Sequence, residues 1–168
     1  QYTCTTLQNF EPVINIPMIE KVVTEQITSH IKKSNLSEVY QSAYKANSST
    51  ESALLKVKSD MLDAVDRQEV VLLALLDLSA AFDTIDHKIL INRLQHRIGL
   101  SGKVLELMCS YLKCRSSRVY IDNCYSQSYP LKFGVPQGSV IGPIMFVIYT
   151  LPVGDIIRKH KINFHIYA

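Results

Sequence analysis

The order of apolar and polar positions divides the 168-residue chain into helical and extended stretches. Residues 18–33, MIEKVVTEQITSHIKK, set Ile19, Val22, Val23, Gln26, Ile27 and His30 on one side, the period of an amphipathic helix. A polar stretch, SAYKANSST at 42–50, leads to a second helix opening at Thr50. Its Leu54, Leu55, Val57, Met61, Leu62 and Val65 fall mostly on one stripe, and hydroxyls between Ser49 and Ser52 supply the cap such a start wants.

Residues 69–78, EVVLLALLDL, are too continuously apolar for a strand with one wet face and predict a central strand covered on both sides. A helix follows over 84–97, stopped at Gly99, and another over 103–113. RVYID and YSQSYPLKF then read as a strand pair turning at Asp122-Asn123. After the loop GVPQGSVIGP a buried helix runs to about Leu151. Ile162, Phe164 and Ile166 alternate with polar neighbours in a last strand, KINFHIYA, which stops without a turn or cap and reads as cut. Helices and strands mix without strict βαβ alternation. The predicted class is α+β, an antiparallel sheet with helices packed on one face.

A hydrophobic content of 47% suits one packed domain. The longest nearly apolar run, Val140 to Leu151, is too short for a bilayer, which needs about twenty residues. The start lacks both a secretory leader pattern and an initiator Met, so that end also reads as cut. Cys4, Cys109, Cys114 and Cys124 form no CxxC pair and are expected as reduced thiols of an intracellular protein. From Thr84 to Lys132 eight basic residues face three acidic ones. Such an excess suits a polyanion partner, but composition alone slightly favours the plainer reading, a solvated face.

Asp77 carries the most information. A carboxylate between Leu76 and Leu78, ending an apolar strand, is costly unless it caps the next turn or binds a cation. In the following SAAF turn, small residues leave backbone amides open to an anion. Asp83 and Asp86 then fit a capping-box helix start, Asp83 as the cap. In GVPQGSVIGPIMF, Gly134, Gly138, Gly142, Pro136 and Pro143 specify an unusual loop around Gln137, either a tight connection or a site.

Together, LLDLSAAFDTIDH and FGVPQGSVIGPIMF resemble the reverse transcriptase domain of non-LTR (LINE-type) retrotransposons. The resemblance covers nearly the whole chain. FEPVINIPMIEKVV is similar to the family's first fingers motif and QSAYKANSSTESALL to its second. SGKVLELMCSYLKCRSSRVYI fits the segment between palm motifs, and FHIYA begins the motif that in the family reads Tyr-Ala-Asp-Asp.

The resemblance implies a right-hand polymerase fold fragment, fingers-like over about 1–68 and partial palm over about 69–168, with the C-terminal palm and thumb absent. It implies transfer of dNTPs to the 3′-hydroxyl of a DNA primer on an RNA template, assisted by Mg2+ (Mn2+ as a possible substitute). Asp77 would be the catalytic, metal-binding carboxylate, with the backbone carbonyl of Leu78 beside it. Ala80 and Ala81 would face the triphosphate, Phe82 would exclude a 2′-hydroxyl, and Gln137 and Gly138 would border the nucleotide and template base. The implied geometry sets Asp77 on a strand beside residues 162–168, with Gln137 and Gly138 facing the same cleft. The basic excess would track phosphates, no membrane is involved, and the host nucleus or cytoplasm is the expected location.

Two positions depart from the pattern. Glu11 precedes Pro12 where the family has Arg, and Lys45-Ala46-Asn47 replaces Arg-Pro-Gly, so Lys45 keeps the charge without the planar fork. The isolated chain, lacking the Asp-Asp pair, is expected to be inactive. The alternative is a non-catalytic retroelement remnant that binds nucleic acid or protein.

Overall fold

A computed structural model describes residues 16–168 except Ala46, Ser79, Cys114, Asp122, Gln137 and Ala168. The first fingers motif around Glu11, Cys4, Cys114, Gln137 and the final Ala therefore lie outside the described residues. Helix α1 spans Ile16–Lys33, α2 Thr50–Asp66, α3 His87–His96, α4 Gly102–Leu112 and α5 Gly142–Lys159. Between α4 and α5 lie four two-residue strands, β1 Ser116–Ser117, β2 Tyr120–Ile121, β3 Cys124–Tyr125 and β4 Tyr129–Pro130.

Helix α5 is the centre. It buries Met145, Phe146, Ile148 and Leu151 against Leu90 and Leu94 of α3, Met108 and Leu112 of α4, and Ile27 and Ile31 of α1, with Ile85, Ile98, Val135 and Ile141 filling in from loops. Each such side chain contributes about 1.5–3 kcal/mol on leaving water. The helix outlasts the expected end near Leu151 and continues through Pro152 to Lys159. Pro152 cannot donate to the preceding turn, but burial of Leu151 and Gly154 keeps the backbone on course.

Helix α2 begins as its sequence asks. Ser49 is its N-cap, and Ser49 and Ser52 exchange side-chain-to-backbone hydrogen bonds. Its expected apolar stripe, however, is exposed except for a half-buried Val57, and only Ala53 is buried. The inner face of α1 is also turned from expectation: Ile27 and Ile31 are buried, while Ile19 and Val22 are exposed.

The strand expected over 69–78 is not formed. No regular structure spans these residues, and Val70, Leu72 and Leu76 are 100%, 93% and 92% exposed. A strand needs backbone partners, and the segment expected beside it pairs elsewhere. Ile166 lies parallel to Gln41, donating its N–H to Tyr40 (2.8 Å) and accepting from the Ser42 N–H (3.0 Å). One sheet with helices on a face is thus replaced by two small antiparallel ladders.

These ladders form the hairpin expected to turn at Asp122-Asn123. Ser116 and Ser117 oppose Pro130 and Tyr129, and Tyr120 and Ile121 oppose Tyr125 and Cys124. Two residues separate the ladders on one strand and three on the other, so the hairpin carries a bulge. The fold is a mixture of helices with small antiparallel sheets, and no helix among the described residues is long and apolar enough to cross a membrane.

Candidate functional site

The two sequence motifs meet backbone to backbone. Val135 donates its N–H to the Phe82 carbonyl (2.9 Å), Gly134 donates to Ile85 (2.8 Å), and Asp86 lies antiparallel to Phe133. The approach is closest at Gly134, whose φ is +85°. A Cβ there would stand 3.1 Å from both the Cα and the carbonyl oxygen of Asp83, so any other side chain would press on backbone from an already strained conformation. The Gly134 carbonyl in turn accepts from His87 Nε2 (2.7 Å) and Arg115 Nη1 (3.2 Å). A carbonyl only accepts, so that His87 nitrogen carries the proton.

Ala80 takes a left-handed φ of 52°, and its carbonyl receives the N–H groups of Asp83 (2.9 Å) and Thr84 (3.2 Å). This turn delays the helix. Asp86, not Asp83, caps α3, accepting from Lys88 N–H at 2.8 Å and Ile89 N–H at 3.0 Å. The capping role expected of Asp83 is therefore corrected, and its amide belongs to the preceding turn. Ala81 and Phe82 are half-buried against the core, and the Phe82 ring lies 5.5 Å from that of Phe146, tilted by 47°.

Asp77 and Leu78 are exposed at the end of the unpaired 69–78 segment. Among the described residues Asp77 lies on no strand, and the segment expected beside it bridges to Gln41 through Ile166 instead. Gly138 is exposed at φ +81° with open space where a Cβ would project. Lys45 is exposed between the left-handed Tyr44 and Asn47. The described residues gather no group of three His, Cys, Asp or Glu able to hold a metal.

Sequence reasoning missed the residues that hold the glycine loop. Glu20 of α1 places one carboxylate oxygen against the N–H of Val140 (2.7 Å), that of Ile141 (3.4 Å) and the Ser139 hydroxyl (3.1 Å). Tyr111 of α4 donates to the same hydroxyl (2.6 Å), which also receives the Gly142 N–H (3.0 Å). Burial pushes the Tyr111 phenol up, keeping it a donor. The carboxylate thus satisfies backbone amides just before α5, where the helix dipole favours negative charge. The available signal was spacing: Glu20 falls in register with Val23, Thr24, Ile27 and Ile31, the true inner face.

A second tie joins the far end of α5. Glu38, its side chain 4% exposed, takes both oxygens to Arg158 Nη1 at 2.8 and 2.9 Å. It packs against Gly154, where a Cβ would overlap its carboxylate. Burial raises the Glu38 pKa, but hydrogen bonds from Arg158 and the Tyr40 and Val39 amides, with the Arg158 charge, outweigh it. The carboxyl sits below its ordinary value. Arg158 also binds Asp155 (2.6 Å) and lies over Phe164, which meets Tyr40 edge to face.

The model of the family described as reverse transcriptase (RNA-dependent DNA polymerase) matches residues 6–168. The chain belongs to that family. A protein named the probable RNA-directed DNA polymerase from transposon X-element of Drosophila melanogaster is 29% identical over 154 residues, 88% of this chain and 17% of its own length. The RNA-directed DNA polymerase from mobile element jockey of Drosophila funebris is 26% identical over 148 residues, 86% of this chain and 16% of that protein. This reverse transcriptase domain is of the non-LTR, LINE type, and it spans about one sixth of the length of these relatives. Its family match takes in both motifs joined at Gly134.

Proposed function

We propose that this domain is the fingers-like (about 1–68) and partial palm (about 69–168) portion of a right-hand RNA-directed DNA polymerase, adding deoxynucleotides to a primer on an RNA template. The observation that carries the reading is the seam at Gly134, which brings the SAAFDTID turn against the start of the GVPQGS loop. Phe82 bounds the nucleotide at the sugar, the Ala80 and Ala81 amides lie toward its phosphates, Gln137 and Gly138 border the base pair, and Lys45 adds charge. Asp77 and the Leu78 carbonyl are this chain's share of a site for Mg2+, or Mn2+ in its place, whose other ligands lie outside the described residues. The parent acts inside the host cell, in nucleus or cytoplasm.

The exposed, unsupported Asp77 favours a second reading for the chain alone, a binding module without polymerase activity. Primer extension on an RNA template, with magnesium and with manganese, decides between them. The parent protein is expected to extend the primer and to lose this with Asp77→Asn, while the 168-residue chain incorporates nothing. Incorporation by the chain alone that vanishes in Asp77→Ala would sink the second reading. A parent indifferent to Asp77→Asn would sink the first.

A further inference from the structure

The hairpin between β1 and β4 stands clear of the core. Every described residue from 116 to 133 is exposed, so both faces of a two-stranded ribbon are wet. A charge-bearing surface hairpin would ordinarily present serines, threonines and charges there. This one presents Val119, Tyr120, Ile121, Tyr125, Tyr129 and Phe133.

Two of these rings are fixed in place. Tyr120 and Tyr125 are directly opposed across the ladder, their centroids 4.6 Å apart and their planes 37° from parallel. The Tyr120 hydroxyl donates to Asn123 Oδ1 at 2.6 Å, pinning that ring to the turn. The rings remain 54% and 69% exposed. Their charged neighbours along the chain are mostly basic. Lys113, Arg118 and Lys132 are exposed and have no ion pair among the described residues, and Asp122 is the one acidic residue from 113 to 133. The root of the hairpin is fixed to the Gly134 seam through Arg115, whose carbonyl also receives the Leu131 N–H at 2.8 Å.

We propose that this hairpin is a stacking platform for single-stranded RNA, with a base on the Tyr120–Tyr125 pair and phosphates on Lys113, Arg118 and Lys132. Stacking needs a base free of its own duplex neighbours, and the excess of basic over acidic residues selects a polyanion over a protein surface of mixed charge. The proposal rests on the nucleic-acid-handling reading above and adds to it a contact away from Asp77.

The test titrates the 168-residue chain with a fluorescein-labelled oligouridylate of about 12 nucleotides, following anisotropy at several salt concentrations, with circular dichroism verifying each variant's fold. Tyr120→Ala with Tyr125→Ala weakens binding about tenfold, whereas the paired Phe substitutions restore it. Arg118→Ala with Lys132→Ala lowers the salt slope by roughly 0.7 for each phosphate no longer neutralised. Unchanged affinity in the folded alanine pair overturns the proposal, as does a wild-type chain that ignores the RNA. A pair that loses self-association in sedimentation while binding RNA normally also overturns it, in favour of a protein partner. Each of these outcomes leaves the polymerase reading standing, because that reading is tested separately by the Asp77 dependence of primer extension in the parent.

Discussion

The carboxylate of Glu20, in the first helix, accepts the backbone N–H of Val140 at 2.7 Å, 120 residues along the chain. It is an external N-cap, supplied by another helix where the N-cap position of α5 is Ile141, whose own side chain cannot accept. Glu20→Ala is expected to lower stability by about 1–2 kcal/mol, and Glu20→Gln, which keeps an acceptor and loses the charge, by about half of that. Urea unfolding of the three proteins checks the order, and equal midpoints would show that the cap carries no weight.

Gly134 and Gly99 provide a matched pair. Both have strongly positive φ, +85° and +80°, but an added Cβ meets backbone at 3.1 Å in the first and nothing within 4 Å in the second. Gly99→Ala should cost about 1 kcal/mol from the left-handed backbone alone. Gly134→Ala adds a steric collision to the same strain and should cost about 2–3 kcal/mol. A Gly134→Ala protein as stable as Gly99→Ala would mean that the two loops part easily.

His165 makes stability depend on pH. Burial is the chief cause that holds its pKa below the ordinary 6.5. Asp60 opposes this, and Lys56 and Lys45 reinforce it. Its Nε2 meets the Ser42 hydroxyl at 2.8 Å, and its buried Nδ1 has no partner among the described residues. A base held below its unfolded value favours folding fully above about 6.5, and this is lost as pH falls toward the folded pKa. Glu38, held below its ordinary 4.5, adds stability above that value that is lost under stronger acid. Denaturant midpoints should therefore fall in two stages, and His165→Asn should abolish the first while sparing the second.

Residues 70–76, VVLLALL, form an apolar stretch, exposed but for a half-buried Val71, with no charge and no proline, the signature of cross-β association. The chain in solution is expected to associate with time. Leu72→Lys with Leu75→Lys should suppress this without loss of fold, since both side chains are almost bare. Light scattering reads the result, and a wild-type chain that stays clear and monomeric at tens of micromolar would contradict it.

Local signals in this sequence were faithful where the interaction is local. Ser49 and Ser52 announce the start of α2, Asp122-Asn123 the hairpin, and Gly134 the close approach. They failed where the partner lies far along the chain. Nothing near Val70–Leu76 reveals whether strands flank it, and the choice of Ile166 for Gln41 depends on a pairing 125 residues away. Asp83 lost the cap to Asp86 because a left-handed alanine, which propensity does not foresee, turned the chain first. Glu20 and Glu38 were invisible as anchors because their partners are backbone amides and an arginine supplied by α5. The family was legible from two motifs even so, since residue identity there is set by chemistry as well as by packing.

The two carboxylate ties to α5 act at separate points. Glu20 holds the amides of residues 140 and 141, and Glu38 sits against residues 154 and 158. At 1.5 Å per residue these points lie roughly 20 Å apart along the helix. With one such attachment, only the packing of Ile27 and Ile31 would resist rotation of the N-terminal segment about it. Two, spaced like the hinges of a door frame bolted shut, remove the swing, so residues 20–41 and the long helix travel as a single rigid piece.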